Sequence, residues 1–225
     1  MEPMTDDAPT PASPPEPERP RPTALPMPDR TDLRPLLHRY NEHPETRPEI
    51  LEEIDTRFRR DVAVLVLDAC GFSRTVQGRG IVHFLALLER LERLVRPCVE
   101  EQHGRILRRE ADNLYAVFDT PDHALTAARL IQRDVRAANE ALPKDEEVGV
   151  SIGIGYGELL LVGPDDAWGD EMNLASKLGE DLADCDQILL TVSAGKALQS
   201  SDDVVLAERE YAVSGITVPA FLVEA

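Results

Sequence analysis

Residues 62–74 read Val-Ala-Val-Leu-Val-Leu-Asp-Ala-Cys-Gly-Phe-Ser-Arg, six apolar side chains without a polar gap, then Asp68, then a glycine-bearing segment. A strand with one face in water alternates apolar and polar residues, so an unbroken β-branched and apolar run is expected where a sheet is covered on both faces. Beyond the segment ACGFSRTVQGRG, the residues Phe84, Leu88, Leu91, Val95 and Cys98 recur at helical spacing up to about His103. Pro97 is expected to bend that helix and Gly104 to end it. RILRR and NLYAVFD then read as two strands joined by a tight Glu-Ala-Asp turn, and Thr120-Pro121-Asp122 is a start signal for a second helix. Its predicted buried face carries Leu125, Ala128, Ile131, Val135, Ala138 and Leu142, and the strand GVSIGIGYG follows, its glycines implying close backbone approach.

The order strand, helix, strand, strand, helix, strand is the ferredoxin-like βαββαβ unit. Further along, ELLLV, a helix around WGDEMNLASKLGEDLA, the strand QILLT and a terminal pair near EREYAVS and TVPAFLVEA extend the same sheet. The fold class is therefore α+β, a ferredoxin-like core with additional C-terminal strands and helices. Upstream, TRPEILEEIDTRFRR sets Thr46 three residues before Glu49, the spacing of a capping box, with Ile50, Leu51, Ile54 and Phe58 along one helical face. Ten of the 18 prolines fall within the first 28 residues. The expected organisation is a disordered Pro-rich tail over 1–30, a helical lead-in over 31–59 and one domain over 60–225.

The 225 residues include 42 acidic and 24 basic side chains, a net charge of −18, and residues 31–225 alone hold 36 acidic against 21 basic. Such a field repels nucleic acid and anionic lipid, so neither is an expected partner. A spanning helix needs roughly 20 apolar residues, and the longest apolar run is Val62 to Leu67. The first residues, MEPMTDDAPTPASPP, lack the basic and apolar regions of a secretory signal. Cys70, Cys98 and Cys185 are odd in number and form no CxxC or Cys/His pair, so neither a disulfide framework nor a zinc site is expected, which suits a reducing cytoplasm. Cys70 reads as a small filler and Trp168 as the anchor of a loop or an interface.

In a βαββαβ sheet the first strand runs antiparallel beside the third, so the end of one meets the beginning of the other. Asp68 and Asp112 are thus expected at one sheet edge, beneath Gly71-Phe72-Ser73. Two adjacent carboxylates repel unless a cation lies between them, and hard oxygen donors suit Mg²⁺ or Mn²⁺. A helix N-terminus after the loop would offer amide donors to phosphate oxygens. A phosphate ligand delivered with divalent metal is one reading. The other is that Asp68 merely ends a strand and Asp112 merely makes a turn.

These segments resemble the class III nucleotidyl cyclase catalytic domain. VLVLDACGFSR is similar to its first metal motif, RILRREADNLYAVF to the hairpin carrying its second, GVSIGIGYGELLLVG to its Gly-Ile-x-x-Gly strand turn and DAWGDEMNLASKL to the motif with its base-selecting and transition-state residues. The likeness covers roughly residues 60 to 223, four motifs in order. It implies two metal ions on Asp68 and Asp112, with the carbonyl of Ala69 completing one shell, and Gly71, Phe72 and Ser73 on the substrate. It implies that Arg108 and Asp166 contact adenine, so that the substrate is ATP rather than GTP, with Asn173 orienting the ribose and Lys177 stabilising charge at phosphorus. It also implies a head-to-tail homodimer whose sites take metal residues from one protomer and base-reading residues from the other.

The chain departs from that pattern where Arg108 replaces a Lys, Lys177 an Arg, Ala111 a Gly, and Ser214-Gly215 a Lys-Gly pair. The activity implied is an adenylate cyclase forming 3′,5′-cyclic AMP. Its alternative is a catalytically weak cyclase-homology domain that binds nucleotide or dimerises. A diguanylate cyclase is set aside because no Gly-Gly-Asp/Glu-Glu-Phe sequence occurs. No sensor domain fits into the first 46 residues, so regulation is expected from a partner protein, the tail, or an ion such as bicarbonate or calcium.

Overall fold

The computed structural model describes residues 28–70, 78–198, 204–213 and 215–224. The strand read from residues 62–67 is the centre of the molecule: β1 (Arg59–Cys70) pairs antiparallel with β3 (Asn113–Phe118) on one side and with β4 (Gly149–Val162) on the other. Its side chains divide by parity. Ala63, Leu65 and Leu67 enter a core beneath α3 (Ile81–Glu101) and α4 (Pro121–Asn139), while Val62, Val64 and Val66 enter a second core with Met172 and Ala175 of α5 (Asp170–Ser176). Both sets are buried, which is why the run carries no polar alternation.

The sheet order is β2-β3-β1-β4-β6-β8-β7, where β2 is Arg105–Glu110, β6 Ile188–Leu190, β7 Leu206–Val213 and β8 Ile216–Val223. The short β5 (Asp166–Trp168) folds back onto β4. Its first four strands have the ferredoxin-like order, as expected for the α+β class. Helix α3 buries Phe84, Leu88, Leu91, Val95 and Cys98 and continues through Pro97 to Glu101. Thr120 caps α4 by accepting from the His123 amide at 3.3 Å. The glycines of β4 permit close approach: a Cβ on Gly153 would run into the Ala175 carbonyl and the Gly179 amide.

Before β1, α1 (Arg30–Glu42) and α2 (Arg47–Phe58) close a small core in which Leu33 and Leu36 meet Ile50, Ile54, Phe58 and Val162.

Several expectations are corrected. Thr46 makes no capping box; its hydroxyl donates to the His43 carbonyl at 3.2 Å, and the box forms instead between Asp29 and Asp32 at the start of α1. Leu51 is 45% exposed, because the buried face of α2 is already filled by Ile50, Ile54 and Phe58. ELLLV is no separate strand but the second half of the 14-residue β4. A further short helix, α6 (Val192–Leu198), follows β6. Cys70 is not a filler. It is disulfide-bonded to Cys185, with Cα atoms 5.9 Å apart, which ties the end of β1 to the loop before β6 and leaves Cys98 as the buried free thiol. The pairing joins residues 115 apart and removes the ground for expecting unpaired cysteines. No helix among the described residues is long and apolar enough to cross a membrane.

Candidate active site

The β1–β3 register sets Asp68 opposite Asn113, so Asp112, in the turn just before Asn113, lies at the same edge. The turn is tight. Ala111 sits at φ 55°, a left-handed conformation that suits glycine better and costs a side chain about 1 kcal/mol. Burial pushes the Asp68 carboxyl up to about 6, the charges of Asp112 and Glu180 add to the rise, and a hydrogen bond with Ser151 opposes it. Ser151 faces Asp68 from β4.

A third carboxylate, Glu180, joins this edge without a sequence signal of its own. It projects from a single π-helical turn over Lys177–Leu182, accepts from the Tyr115 hydroxyl at 3.0 Å, and is itself raised, chiefly by burial. A π turn is rare and recurs at functional sites, but nothing in SKLGEDL distinguishes it from a continuing α-helix.

An implied divalent cation finds a fitting donor set at this edge. The oxygens of Asp68 and Asp112 are hard ligands, and the Asn113 Oδ1 atom beside them is buried with no hydrogen-bond partner. Among the described residues no cluster of three or more His, Cys, Asp or Glu forms a ready cage. Mg²⁺ is commonly held by one or two carboxylates together with substrate phosphates, so two carboxylates are the open arrangement that chemistry needs.

A different setting surrounds Asp166, at the start of β5. Its carboxylate is 10% exposed, and Oδ1 accepts from Arg108 Nη1 at 3.0 Å and from the Ala167 amide at 3.0 Å. Oδ2 forms an ion pair with Arg30 from the first turn of α1. The Arg108 guanidinium also lies over the Tyr115 ring, 4.5 Å from its centroid, and its Nε is 3.6 Å from Glu110. Asn173 and Lys177 follow on α5 and its π-helical continuation, where the Lys177 amide bonds back to the Asn173 carbonyl, one turn apart on one flank. Asn173 is exposed, and the Lys177 ammonium is 3.8 Å from Asp181.

Two groups of expected residues are therefore each brought together, Asp68 with Asp112 and Arg108 with Asp166. Gly71, Phe72 and Ser73, the proposed phosphate loop, lie outside the described residues, as do Ser214 and the tail over 1–27.

Comparison with known proteins agrees with this architecture. The catalytic-domain structure described as an adenylate/guanylate cyclase/hydrolase from Silicibacter pomeroyi is 27% identical, with a TM-score of 0.62 over 73% of this chain and 95% of that one. The chain has the class III nucleotidyl cyclase catalytic fold. The adenylyl cyclase CyaB from P. aeruginosa shares the cyclase fold at a TM-score of 0.64 and 17% identity, over 74% of this chain and 95% of that one. A putative adenylate cyclase 3 from Rhizobium meliloti (strain 1021) is 27% identical over 153 residues, 68% of this chain and 26% of that protein. The cyclase-like chain thus matches about a quarter of that curated relative's length. No family model matches it.

Proposed function

We propose that the chain is an adenylate cyclase, converting ATP to 3′,5′-cyclic AMP and pyrophosphate at the interface of a head-to-tail homodimer. The observation that supports this reading is the Asp68–Asp112 edge, where the β1–β3 register sets the end of one strand beside the turn that carries the second carboxylate; burial first, and then the charges of Asp112 and Glu180, raise the proton affinity of Asp68. Asp68, Asp112 and the Ala69 carbonyl would hold two ions, Mg²⁺ or Mn²⁺. When bound, these supply charge neutralisation of the triphosphate and acidification of the ribose 3′-hydroxyl.

The chain's own residues do the rest. Arg108 donates to adenine N1, and Asp166 accepts from the adenine amino group, a donor beside an acceptor at 3.0 Å. A guanine would turn its carbonyl oxygen toward the Asp166 carboxylate, which disfavours GTP. Asn173 orients the ribose so that O3′ lies in line with the α-phosphorus. As the O3′–P bond forms, with the 3′-hydroxyl proton passing to solvent, and the bond to the bridging oxygen breaks, Lys177 offsets the charge gathering on the equatorial oxygens, and pyrophosphate departs. Gly71, Phe72 and Ser73 are assigned to the substrate, as the family resemblance implies.

The shared-site reading takes the metal half of each site from one copy and the base-reading half from a second. Trp168 is 59% exposed and Leu174 is 38% exposed, apolar surface next to Asp166 and Asn173 that a partner would cover. A cytoplasmic location rests on the supply of ATP alone, since the Cys70–Cys185 disulfide removes the cysteine argument for a reducing compartment. The test is product analysis: purified chain with ATP or GTP under Mg²⁺ or Mn²⁺ should release cyclic AMP in preference to cyclic GMP. No cyclic nucleotide from either substrate, or preferential cyclic GMP, overturns the reading.

A further inference from the structure

Asp166 has a partner that no cyclase motif supplies. Arg30, 136 residues away in sequence, ion-pairs with Oδ2, the oxygen that Arg108 leaves free. Its position is built rather than accidental. The Pro28 carbonyl accepts from the Gly163 amide at 2.8 Å, the Asp29–Asp32 capping box fixes the first turn of α1, and Leu33 and Leu36 bury the helix against α2 and Val162. The Arg30 side chain is nevertheless 63% exposed beside a carboxylate that is 10% exposed, and only its Nη2 is given to Asp166.

The chemistry of base choice changes with that arrangement. A lone carboxylate accepts from the adenine amino group and repels the guanine carbonyl. With Arg30 on Oδ2, a donor stands beside the acceptor, and a guanidinium N–H can reach a carbonyl oxygen where the carboxylate cannot. Adenine still has a lone pair on Oδ2, but its amino group then faces cationic N–H groups of Arg30 as well.

We propose that Arg30 is a specificity-determining residue that narrows the preference for ATP over GTP set by Asp166. The inference rests on the assignment of Asp166 to the base. Asp166 reads adenine; Arg30 lends the same site a donor for guanine.

The test compares the wild-type chain with Arg30→Ala, Arg30→Lys, Asp166→Asn and the double variant Arg30→Ala/Asp166→Asn. Two readouts are used: the ratio of kcat/KM for ATP and GTP with Mn²⁺, and displacement of a fluorescent ATP analogue by each nucleotide. Arg30→Ala should raise the ATP:GTP ratio roughly ten-fold, the scale of one hydrogen bond to a charged group, mostly by weakening GTP. Arg30→Lys keeps a donor and should stay within about three-fold of wild type. With Asp166→Asn in place, Arg30→Ala should no longer move the ratio. An unchanged or lowered ratio in Arg30→Ala, including an equal loss on both nucleotides, overturns the proposal while an active enzyme keeps the cyclase reading. A shifted displacement ratio without cyclic product overturns the cyclase reading and retains Arg30. If neither nucleotide displaces the analogue, both fall.

Discussion

The edge where β1 ends beside the start of β3 and the place where Arg108 of β2 reaches Asp166 of β5 both hold carboxylates, in opposite electrostatic settings. At the first, the charged groups acting on Asp68 are two more carboxylates, Asp112 and Glu180, and its carboxyl rises to about 6. At the second, Asp166 receives two guanidiniums and a backbone amide. Burial is the larger cause of the rise at Asp68, and the contrast lies in what is added to it: like charges at Asp68, and cationic hydrogen-bond donors at Asp166. On the proposed function, a divalent cation would relieve the Asp68 edge, while around Asp166 the charge is already matched, which would leave hydrogen-bond geometry as its means of discrimination.

The strongest way to break this contrast is to remove one member of the uncompensated pair. Asp68→Ala or Asp112→Ala should lower cyclisation by about a thousand-fold or more, the equivalent of several kcal/mol of transition-state stabilisation. Thermal unfolding of the metal-free variants should occur at or above the wild-type temperature. Turnover near wild type at saturating Mn²⁺ would mean that the metal edge is misassigned.

Next in size is the covalent tie that anchors the Asp68 strand. In the oxidised protein, Cys185→Ser should reduce the unfolding free energy by about 2–4 kcal/mol. Reductant should do the same to wild type and nothing to the variant. A wild-type unfolding midpoint indifferent to reductant would show that Cys70 and Cys185 are not joined.

The compensated edge should respond more mildly. Asp166→Asn should cut the ATP preference roughly ten- to a hundred-fold, the range for one specific base contact, because the amide offers a donor as well as an acceptor. Base choice that ignored this change would remove Asp166 from the site.

The smallest expected effect is a pH dependence confined to the Asp68 edge. The folded Asp68 carboxyl, at about 6 against an ordinary 3.8, binds its proton more tightly than the unfolded chain does. Its contribution to stability is therefore fully present below the ordinary value and lost as pH rises through about 6. Asp68→Asn should match wild type near pH 4 and exceed it by about 1 kcal/mol at pH 7, a modest figure because the group is half-exposed and solvent screens it. Mn²⁺ should close that gap for wild type. A gap of opposite sign would contradict the electrostatic description.

The central strand and the Asp68–Asp112 meeting were legible because both follow from local pattern plus topology. An unbroken apolar run implies a central strand, and an antiparallel first and third strand bring Asp68 to the turn at Asp112. The Cys70–Cys185 and Arg30–Asp166 pairs were not legible, since contacts across 115 and 136 residues leave no periodicity in the chain. Glu180 was hidden by a local irregularity, the π turn that re-aims it toward Tyr115. Leu51 was misread because helical spacing alone cannot say which apolar residue the packing leaves outside. The Thr46 box failed for a related reason: the His43 carbonyl captured the hydroxyl.

If the two edges differ because each serves a different site of a dimer, subunit mixing tests the account most directly. Asp68→Ala disables the metal half of each site and Asn173→Ala the ribose half, so either variant alone should be nearly inactive. After random exchange of equal amounts, half of the dimers are mixed, and each mixed dimer has one site with both defects and one with none. Activity should recover to roughly a quarter of wild type per chain, as a closed two-fold pairing of half-sites requires. No recovery, with exchange confirmed by a tag on one variant, would contradict the shared site.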